Sequence, residues 1–414
     1  MVSEMAPISC VHIVPSLASI TGGPAVSVSR LCAALADLHL GVRICTADDE
    51  SIAGRAVLPP PSVPVVRYGL GSSWLEQHIF RGQLSSVLAS SSGSSMLIHS
   101  HGIWTPESYV ASRIARTTGR PHVISCRGML QPWALNFRRT KKRIAMALYQ
   151  RRVLETAAVI HATSPAEESA LRMIGLRNPV AVIPNGVDLN VDSRSSCRDD
   201  VNSKWPQLAG YRILLFQSRL HQKKGLDELL NAWQNMAHLF PDWLLVLAGH
   251  DEQQFVQRHA LSGEVDPRTR RVYLGHVPNA LGHSLLGSAS LMVLPSFSEN
   301  FGNVVAESLA HGVPVLTTEN TPWEGINRFD AGRCIPSQAS NLHEVLQQLC
   351  SLPEADLLAM GRNGRAWMER EFSWNRVATE MNAVYRWILG FGEMPASVRT
   401  LNAATHAQVL TSAA

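Results

Sequence analysis

The stretch LMVLPSFSENFGNVVAESLAHGVPVL, residues 291–316, contains a complete supersecondary unit. It opens with an apolar run of strand length, 291–294, which Pro295 ends, and a polar loop follows. Apolar residues then recur with helical spacing, and Gly312 stands where a helix C-cap belongs, ahead of a second apolar strand at 313–317. This order of elements predicts a strand, loop, helix and strand of a parallel α/β sheet.

Two carboxylates lie in this unit, Glu299 in the loop and Glu307 on the helix. The carboxyl ends of parallel strands are where ligands bind in such sheets. The amides at the helix start, near Gly302 and Asn303, suit an anion, whereas a carboxylate suits sugar hydroxyls, which donate to it. The unit therefore predicts a ligand that carries both phosphate and sugar.

The two glutamates, with seven residues between them, resemble the signature of the family 4 retaining glycosyltransferases. The alternative is a pair of solvated glutamates on a surface helix, but the Phe-Gly between them and the Gly-Val-Pro-Val after them make the resemblance specific. It implies the GT-B fold, an α/β architecture of two Rossmann-like domains facing across a cleft. It also implies that Glu307 accepts the ribose hydroxyls. Glu299 and the backbone of Phe301, Gly302 and Asn303 would bind the donor sugar.

Length and composition agree with a two-domain globular protein. The chain has 414 residues, more than one core usually supports, and 45% hydrophobic and 17% charged residues. Its net charge of +4 does not argue for a nucleic-acid partner. Seven cysteines without a Cys-x-x-Cys pair favour reduced thiols. No signal peptide or membrane-spanning stretch is recognisable, so we expect a cytoplasmic protein, at most peripheral on the cytoplasmic face of the inner membrane.

The first half opens with an apolar strand at 8–14, then the pair Gly22 and Gly23, then an amphipathic helix at about 25–38. Glycines at such a junction let backbone amides approach a ligand closely, although this is not the dinucleotide G-x-G-x-x-G pattern. In family 4 enzymes the corresponding glycine loop lies over the phosphate and sugar of the donor. The resemblance therefore implies that Gly22 and Gly23 bind the donor.

A short strand at 96–101 ends in two histidines at alternate positions, His99 and His101. A metal site is disfavoured because the sequence places no third ligand nearby, and we expect His99 to be a packed, hydrogen-bonded strand residue. His101 precedes a glycine and matches the His-x-His-Gly pattern of the family. That match implies that His101 is a catalytic candidate facing the cleft.

Arg127 follows the next strand at a position where many family members carry histidine. Arginine stays charged and cannot accept a proton, so this departure favours contact with a phosphate or carboxylate.

A basic segment at 138–152 follows, with apolar residues interspersed. Its two interpretations are a solvated helix face, or a patch attracted to an anionic membrane or to a lipid-pyrophosphate acceptor.

The second half restarts with a strand at 212–217, followed by a loop that carries Arg219 and Lys224. Arginine binds two phosphate oxygens in its fork and lysine supplies a compact charge, so the loop suits a diphosphate. The Arg-Leu and Lys-Gly pairs resemble the family pattern at these two positions. The resemblance implies that they offset the charge of the leaving diphosphate, which a divalent metal does in other transferases. By the same resemblance, the backbone of Val277 would meet the nucleotide base.

These observations predict an N-terminal Rossmann-like acceptor domain at 1–190, a linker at 191–210 and a C-terminal donor domain at 211–372. A helix at 373–392 would cross back onto the first domain, and 393–414 would form a flexible tail.

The resemblance implies a retaining glycosyltransferase that needs no metal and no cofactor. It would move a sugar from a nucleotide-diphosphate-sugar to a hydroxyl of a glycan or lipid-linked glycan acceptor, in bacterial polysaccharide or glycolipid assembly. The departing diphosphate would take the acceptor's proton, so that catalysis is mostly positioning and charge stabilisation. Two alternatives are a GT-B sugar-nucleotide epimerase and a non-catalytic GT-B partner subunit.

Overall fold

The computed structural model describes residues 8–18, 22–48, 56–67, 82, 84–87, 95–336 and 341–401. The chain divides into two compact units. The first comprises 1–186 and 374–414, and the second comprises 187–373. None of the helices within the described ranges combines the length and apolarity needed to cross a bilayer.

A parallel sheet forms the centre of the first unit. In the described residues it has eight strands in the order β14-β7-β6-β5-β4-β1-β2-β3, and only β14 runs antiparallel. The strands are β1 Ser9–Val14, β2 Gly41–Thr46, β3 Val65–Arg67, β4 Met96–His101, β5 His122–Ser125, β6 Val159–Ala162, β7 Val180–Val182 and β14 Val398–Arg399. Nearly every residue of β4 to β7 is buried, as expected for parallel strands covered on both faces.

Helices connect these strands: α1 Gly23–Asp37, α2 Pro106–Thr118, α3 Pro132–Asn136, α4 Arg139–Ala145, α5 Arg151–Glu155, α6 Pro165–Met173 and, at the end of the chain, α15 Trp374–Ile388. The basic segment predicted as one helix at 138–152 is instead interrupted, because a π-helical turn, Met146–Gln150, separates α4 from α5. Such turns are rare and occur frequently at functional sites.

The last helix, α15, belongs to the first unit and packs against α1. Met381 and Tyr385 on α15 are fully buried in the same apolar cluster as Val28 and Leu35 on α1. The prediction that the final helix returns to the first domain is therefore confirmed. The predicted flexible tail needs correction, since β14 pairs with β7 and Val398 is buried; residues 402–414 lie outside the described part of the chain.

The second unit has a six-stranded sheet in its described residues, with the order β10-β9-β8-β11-β12-β13 and every pair parallel. The strands are β8 Arg212–Gln217, β9 Trp243–Ala248, β10 Arg271–Tyr273, β11 Leu291–Leu294, β12 Val315–Thr318 and β13 Gly332–Ile335. The helices are α7 Arg194–Lys204, α8 Leu226–Met236, α9 Phe255–Arg258, α10 Asn279–Ser288, α11 Asn303–Ala310, α12 Gly325–Arg328, α13 Leu342–Cys350 and α14 Glu354–Glu371. Two Rossmann-like α/β units, as predicted, are thus confirmed.

The segment predicted as a linker at 191–210 is part of the second unit. Most of it is the helix α7, which packs against α10. Ser284 donates a hydrogen bond to Asp200 at 2.8 Å, and the guanidinium of Arg198 donates to the backbone carbonyl of Ser288 at 3.2 Å. A polar composition suggested a linker, but the polar groups of α7 hydrogen-bond to its neighbour, and Cys197 and Val201 supply a buried apolar face.

Two glycines bring the strand-end loops of this unit into direct contact. A Cβ on Gly249, after β9, would lie 1.8 Å from the carbonyl oxygen of Ser218, after β8. A Cβ on Gly225 would lie 2.0 Å from the carbonyl oxygen of Pro295, after β11. Only glycine allows such an approach. The loops after β8 and β11, which carry Arg219, Lys224 and Glu299, therefore meet the loop after β9 at one edge of the sheet.

Candidate functional site

In the second unit, an ion pair joins the two loops that the sequence singled out. The ammonium of Lys224 contacts a carboxylate oxygen of Glu299, and both side chains are about nine-tenths buried, with exposures of 11% and 10%. Ser296 donates a hydrogen bond to the same carboxylate oxygen at 3.1 Å. Burial raises the pKa of Glu299, but Lys224, Lys223 and the Ser296 hydroxyl together outweigh it, and the pKa is lowered on balance. Glu299 is therefore an ionised, oriented acceptor.

The helix α11 begins immediately after this loop, with Gly302 as its N-cap at φ 78°. No side chain in the described part of the chain caps this helix. Trp323 instead holds the loop that leads into the helix. Its indole N–H donates to the carbonyl of Phe301, and the two rings pack edge to face. A Cβ at position 302 would come within 3.4 Å of that indole nitrogen. The start of α11 is thus a rigid, positively polarised helix end.

Glu307 lies on α11, one turn further on. Burial raises the pKa of its carboxyl; His283 opposes this effect and Asp188 adds to it. Unlike Glu299, Glu307 has no hydrogen-bond partner for its carboxylate within the ranges the structure describes. An under-satisfied, half-buried carboxylate is suited to accept hydroxyl donors from a ligand.

Arg219 does not share the Lys224–Glu299 ion pair. Its guanidinium is exposed and donates to both carboxylate oxygens of Glu252, at 2.9 and 3.1 Å. Glu252 follows β9 and belongs to no motif, so sequence reasoning missed it.

Val277, the predicted base contact, follows β10, and its side chain packs half-buried against the core of the unit. The predicted contact is made by its backbone, which takes part in none of the described hydrogen bonds.

The first unit has a second polar cluster, centred on Arg127. Its guanidinium donates to the hydroxyl of Ser27 at 3.2 Å, to the side-chain carbonyl of Asn185 at 2.9 Å and to the imidazole of His101 at 2.9 Å. These three partners are neutral. Burial lowers the pKa of Arg127 to about 10, with Glu167 opposing, so the guanidinium stays charged at neutral pH.

The glycine turn belongs to this cluster. Gly22 has φ 74° and precedes α1, in which Gly23 is the first residue. Ser27, on the first turns of α1, accepts from Arg127 and so connects the glycine turn to the loop after β5. The structure therefore brings together the predicted residues Gly22, Gly23 and Arg127. Asn185 was not predicted as a site residue, and its place after β7, at the same sheet edge, is the signal that could have revealed it.

His101 is buried, and both its ring nitrogens are occupied. Arg127 donates to Nδ1, so the neutral ring carries its proton on Nε2 and donates to Nδ1 of His12 at 2.9 Å. The proton of His12 is then on Nε2, which is buried and has no partner among the described residues. His101 was predicted as a catalytic residue facing the cleft. Its burial and hydrogen bonds leave no nitrogen for a substrate, and they make it a support for Arg127.

His99 is a packed, hydrogen-bonded strand residue, as expected. Tyr385 on α15 bonds to its Nδ1 at 2.6 Å, and its Nε2 bonds to the hydroxyl of Ser125 at 2.7 Å. Ser125 in turn donates to Nδ1 of His161 at 2.7 Å, and Nε2 of His161 donates to the backbone carbonyl of Ile183 at 2.8 Å. If each group donates to the next one, from Tyr385 to the carbonyl of Ile183, every hydrogen bond in this series is satisfied with neutral imidazole rings.

His12, His99 and His101 offer nitrogen atoms within 4.8 Å of one another. The sequence analysis missed His12, although it lies directly opposite His99 in the β1–β4 register. The donor set fits a metal poorly, because its nitrogens bond to one another or to Tyr385 and Ser125, and the charged Arg127 bonds to the group. The cluster is built to hold protons in fixed positions.

Comparison with protein families gives two matches that together span most of the chain. Residues 22–186 match the model described as "Glycosyl transferase 4-like domain", and residues 198–367 match "Glycosyl transferases group 1". The two matches fall within the first and the second unit respectively.

Curated relatives include the phosphatidyl-myo-inositol mannosyltransferase of Mycobacterium leprae, 30% identical over 230 residues that cover 53% of this chain and 57% of the relative. The alpha-1,3/1,6-mannosyltransferase of Schizosaccharomyces pombe is 24% identical over 237 residues, covering 50% and 46%. The chain thus spans about half the length of the curated relatives it matches.

Solved structures with the same fold include sucrose-phosphate synthase from Thermosynechococcus elongatus, with a TM-score of 0.72, 19% identity and coverage of 93% of this chain and 100% of that one. The HepE protein of Anabaena, solved in complex with UDP and glucose, has a TM-score of 0.70 and 18% identity, covering 91% and 99%.

Proposed function

This chain belongs to the family 4 glycosyltransferases of GT-B fold, and on that premise we propose that it transfers a sugar, with retention of configuration, from a nucleotide-diphosphate-sugar to a hydroxyl acceptor. The observation that carries the proposal is the buried Lys224–Glu299 pair at the entry to α11, with the under-satisfied Glu307 on the same helix. It supplies a cation for phosphate, an ionised acceptor for sugar hydroxyls and a second acceptor for ribose hydroxyls.

In the proposed reaction, the bond between the anomeric carbon and the diphosphate oxygen breaks, and a bond to the acceptor oxygen forms. The acceptor's proton passes to the departing diphosphate. Lys224 and Arg219 stabilise the charge that develops on the diphosphate, so the reaction needs neither a divalent metal nor a protein base. The amides at Gly302 and Asn303, next to Phe301, lie at the polarised start of α11 and suit the sugar and the phosphate.

Arg219 must leave Glu252 to meet the diphosphate. The pair is exposed, 59% for Arg219 and 31% for Glu252, and exposed ion pairs contribute only about 0.2–1 kcal/mol. A diphosphate offers the same bidentate geometry with more charge, so the exchange is favourable.

In the first unit, we propose that Arg127 and the Gly22-Gly23 turn contact an anionic group of a substrate, since the three side-chain partners of Arg127 are all neutral.

The donor site can be tested by thermal unfolding with a panel of UDP-, GDP- and ADP-sugars, with and without EDTA. One nucleotide class, at a hundred times its dissociation constant, is expected to stabilise the wild type by about 2.7 kcal/mol. Glu307→Ala is expected to lose most of this effect, because the ribose loses its acceptor. Glu344→Ala, an exposed glutamate on α13, is the matched control and should behave like wild type. If no sugar nucleotide stabilises the protein, the donor site is wrong; a shift that disappears with EDTA contradicts metal independence.

We further propose a glycan or lipid-linked glycan as acceptor and contact of the 138–152 segment with an anionic membrane. Residues 108–154 contain eleven Lys and Arg and no Asp or Glu. Large apolar side chains are exposed there, including Phe137 at 58%, Ile144 at 55% and Leu148 at 77%. Cations flanking exposed apolar groups favour the interface of an anionic bilayer.

Co-sedimentation with vesicles tests the membrane contact. We expect binding to vesicles that contain phosphatidylglycerol, weakening as salt is raised, and little binding to pure phosphatidylcholine. The double variant Phe137→Ser, Leu148→Ser should bind several-fold less. Leu239→Ser, which removes a 49% exposed leucine from the second unit, should leave binding unchanged. Equal sedimentation with neutral vesicles would contradict the proposal.

A further inference from the structure

The first unit has a cavity of about 420 Å³ between the loops after β4 and β5 and the helices α3, α4 and α6. Its walls are mostly apolar, formed by side chains such as Leu130, Leu135, Met146 and Ile174. Its size falls in the range of small-ligand sites, roughly 300–1,000 Å³. The cavity is separate from the Arg127 cluster, whose members do not line it.

Four cations also line this cavity: Arg139, Lys142, Arg143 and Arg151. Arg151 pairs with Glu155 at 2.8 Å, but within the described residues the other three have no carboxylate partner. Lys142 donates to the carbonyl of Ala134, and burial together with Arg138 lowers its pKa. Three cations without a carboxylate partner around an apolar cavity attract an anionic group, which the surrounding sequence does not provide.

Two buried donors lack acceptors, one on a residue that lines the cavity and one on a residue hydrogen-bonded to it. The indole nitrogen of Trp104, a lining residue, has no partner in the described residues, and neither has the amide nitrogen of Gln150. The carbonyl of the Gln150 side chain holds the backbone N–H of Trp104 at 3.0 Å, and Trp104 has the left-handed φ of 70°. Gln150 is fully buried and ends the π-helical turn. The cavity thus adjoins a π-helical turn with unsatisfied buried donors, and such turns occur frequently at functional sites.

We propose that this cavity binds one molecule of a single-chain lipid phosphate, with its hydrocarbon chain against the apolar walls and its phosphate on Arg139, Lys142 and Arg143. The cavity volume suits one chain, and the cations supply the charge complementarity. The inference goes beyond the proposed transfer reaction, because binding here requires neither the donor nor catalysis. It also differs from adsorption to a membrane surface, because a cavity binds a monomeric amphiphile with a stoichiometry of one.

Isothermal titration calorimetry on the full chain tests the proposal with octyl phosphate below its micelle concentration. We expect saturable one-to-one binding, at least about tenfold tighter than that of octyl glucoside, which has the same chain but no charge, and of inorganic phosphate, which has no chain. Dihexanoyl phosphatidic acid, with two chains, should bind more weakly than octyl phosphate. Equal binding by octyl glucoside or by inorganic phosphate would overturn the site, and equal binding by the two-chain lipid would overturn the single-chain assignment.

The variant Arg139→Gln, Lys142→Gln, Arg143→Gln should weaken octyl phosphate binding by about tenfold or more, because all three cations contact the phosphate. Its matched control is Arg113→Gln, Arg116→Gln, Arg152→Gln, which removes the same charge from exposed positions that do not line the cavity. Equal weakening in both triple variants would show a non-specific charge effect and overturn the proposal. Loss of the nucleotide response in the second unit would not overturn this proposal, because the two sites lie in different units. Failure of the lipid phosphate site and failure of the donor site are therefore distinguishable.

Discussion

Replacing Lys224 by alanine is expected to slow sugar transfer by roughly a hundredfold or more, with a smaller effect on donor affinity. Lys224 forms a buried ion pair with Glu299, and in the proposed site it lies beside both the sugar-binding carboxylate and the diphosphate. A charge used mainly in the transition state lowers turnover when removed, because the diphosphate gains negative charge as the bond breaks. Steady-state and single-turnover rates with the donor identified by thermal unfolding measure this effect.

Loss of stability must be separated from loss of chemistry in this experiment. Removing one partner of a buried ion pair leaves an uncompensated charge and costs about 3–5 kcal/mol. The double variant Lys224→Met, Glu299→Gln removes both charges and should regain much of that stability while remaining slow. Lys204→Ala, an exposed lysine on α7, is the control for lysine removal. Near-wild-type turnover in Lys224→Ala would contradict the proposed role.

The parts of the site that could be predicted are those that local sequence determines. The strand β11, the loop with Glu299 and the start of α11 follow from an apolar run, a proline and helical periodicity. The family resemblance placed Lys224 and Glu299 in one donor site but predicted no contact between them. In the structure the loops that carry them meet where Gly225 packs closely against Pro295, a long-range packing relation.

What was missed depends on neighbours that are distant in the chain. His12 meets His99 only because β1 pairs with β4, and Glu252 meets Arg219 only because the loops after β8 and β9 adjoin. The helix α7 has a polar sequence, so its packing on α10 was invisible to hydrophobic periodicity. Pairing partners of this kind are properties of strand order, which a single sequence specifies weakly.

Acidification is expected to destabilise the first unit strongly between pH 6.5 and pH 4. Five of its histidines are buried as neutral rings: His12, His99, His101, His122 and His161. Burial lowers the pKa of His12, His122 and His161 to about 3 and lowers the pKa of His99 and His101 as well. The nearby charge of Arg127 acts in the same direction on four of them, all except His122.

The sign follows from proton binding. An unfolded histidine has a pKa near 6.5, so the unfolded chain binds protons below that pH. The buried histidines of the folded unit do not bind these protons, and the free energy of unfolding therefore falls. At pH 5 each such histidine costs about 2 kcal/mol relative to neutral pH. Five of them together reach the order of the total stability of a typical domain, about 5–15 kcal/mol. Glu299, whose pKa is lowered, adds its own loss in the second unit only at lower pH.

Denaturant unfolding of the full chain at pH 7.5, 6 and 5 measures this loss. A pyridyl disulfide reagent, which reacts with thiols in acid, identifies the unit that opens. The buried thiols Cys10, Cys32, Cys45 and Cys126 report on the first unit, and Cys197, Cys334 and Cys350 on the second. His122→Gln should reduce the pH dependence by about one proton, or about 1.4 kcal/mol per pH unit, whereas exposed His238→Gln should not. Each imidazole among His12, His99, His101 and His161 uses one nitrogen as a hydrogen-bond acceptor, so these rings are neutral in the folded unit. Constant stability from pH 7.5 to 5 would show that the histidines become protonated in the folded unit as readily as in the unfolded chain. That result would contradict the prediction.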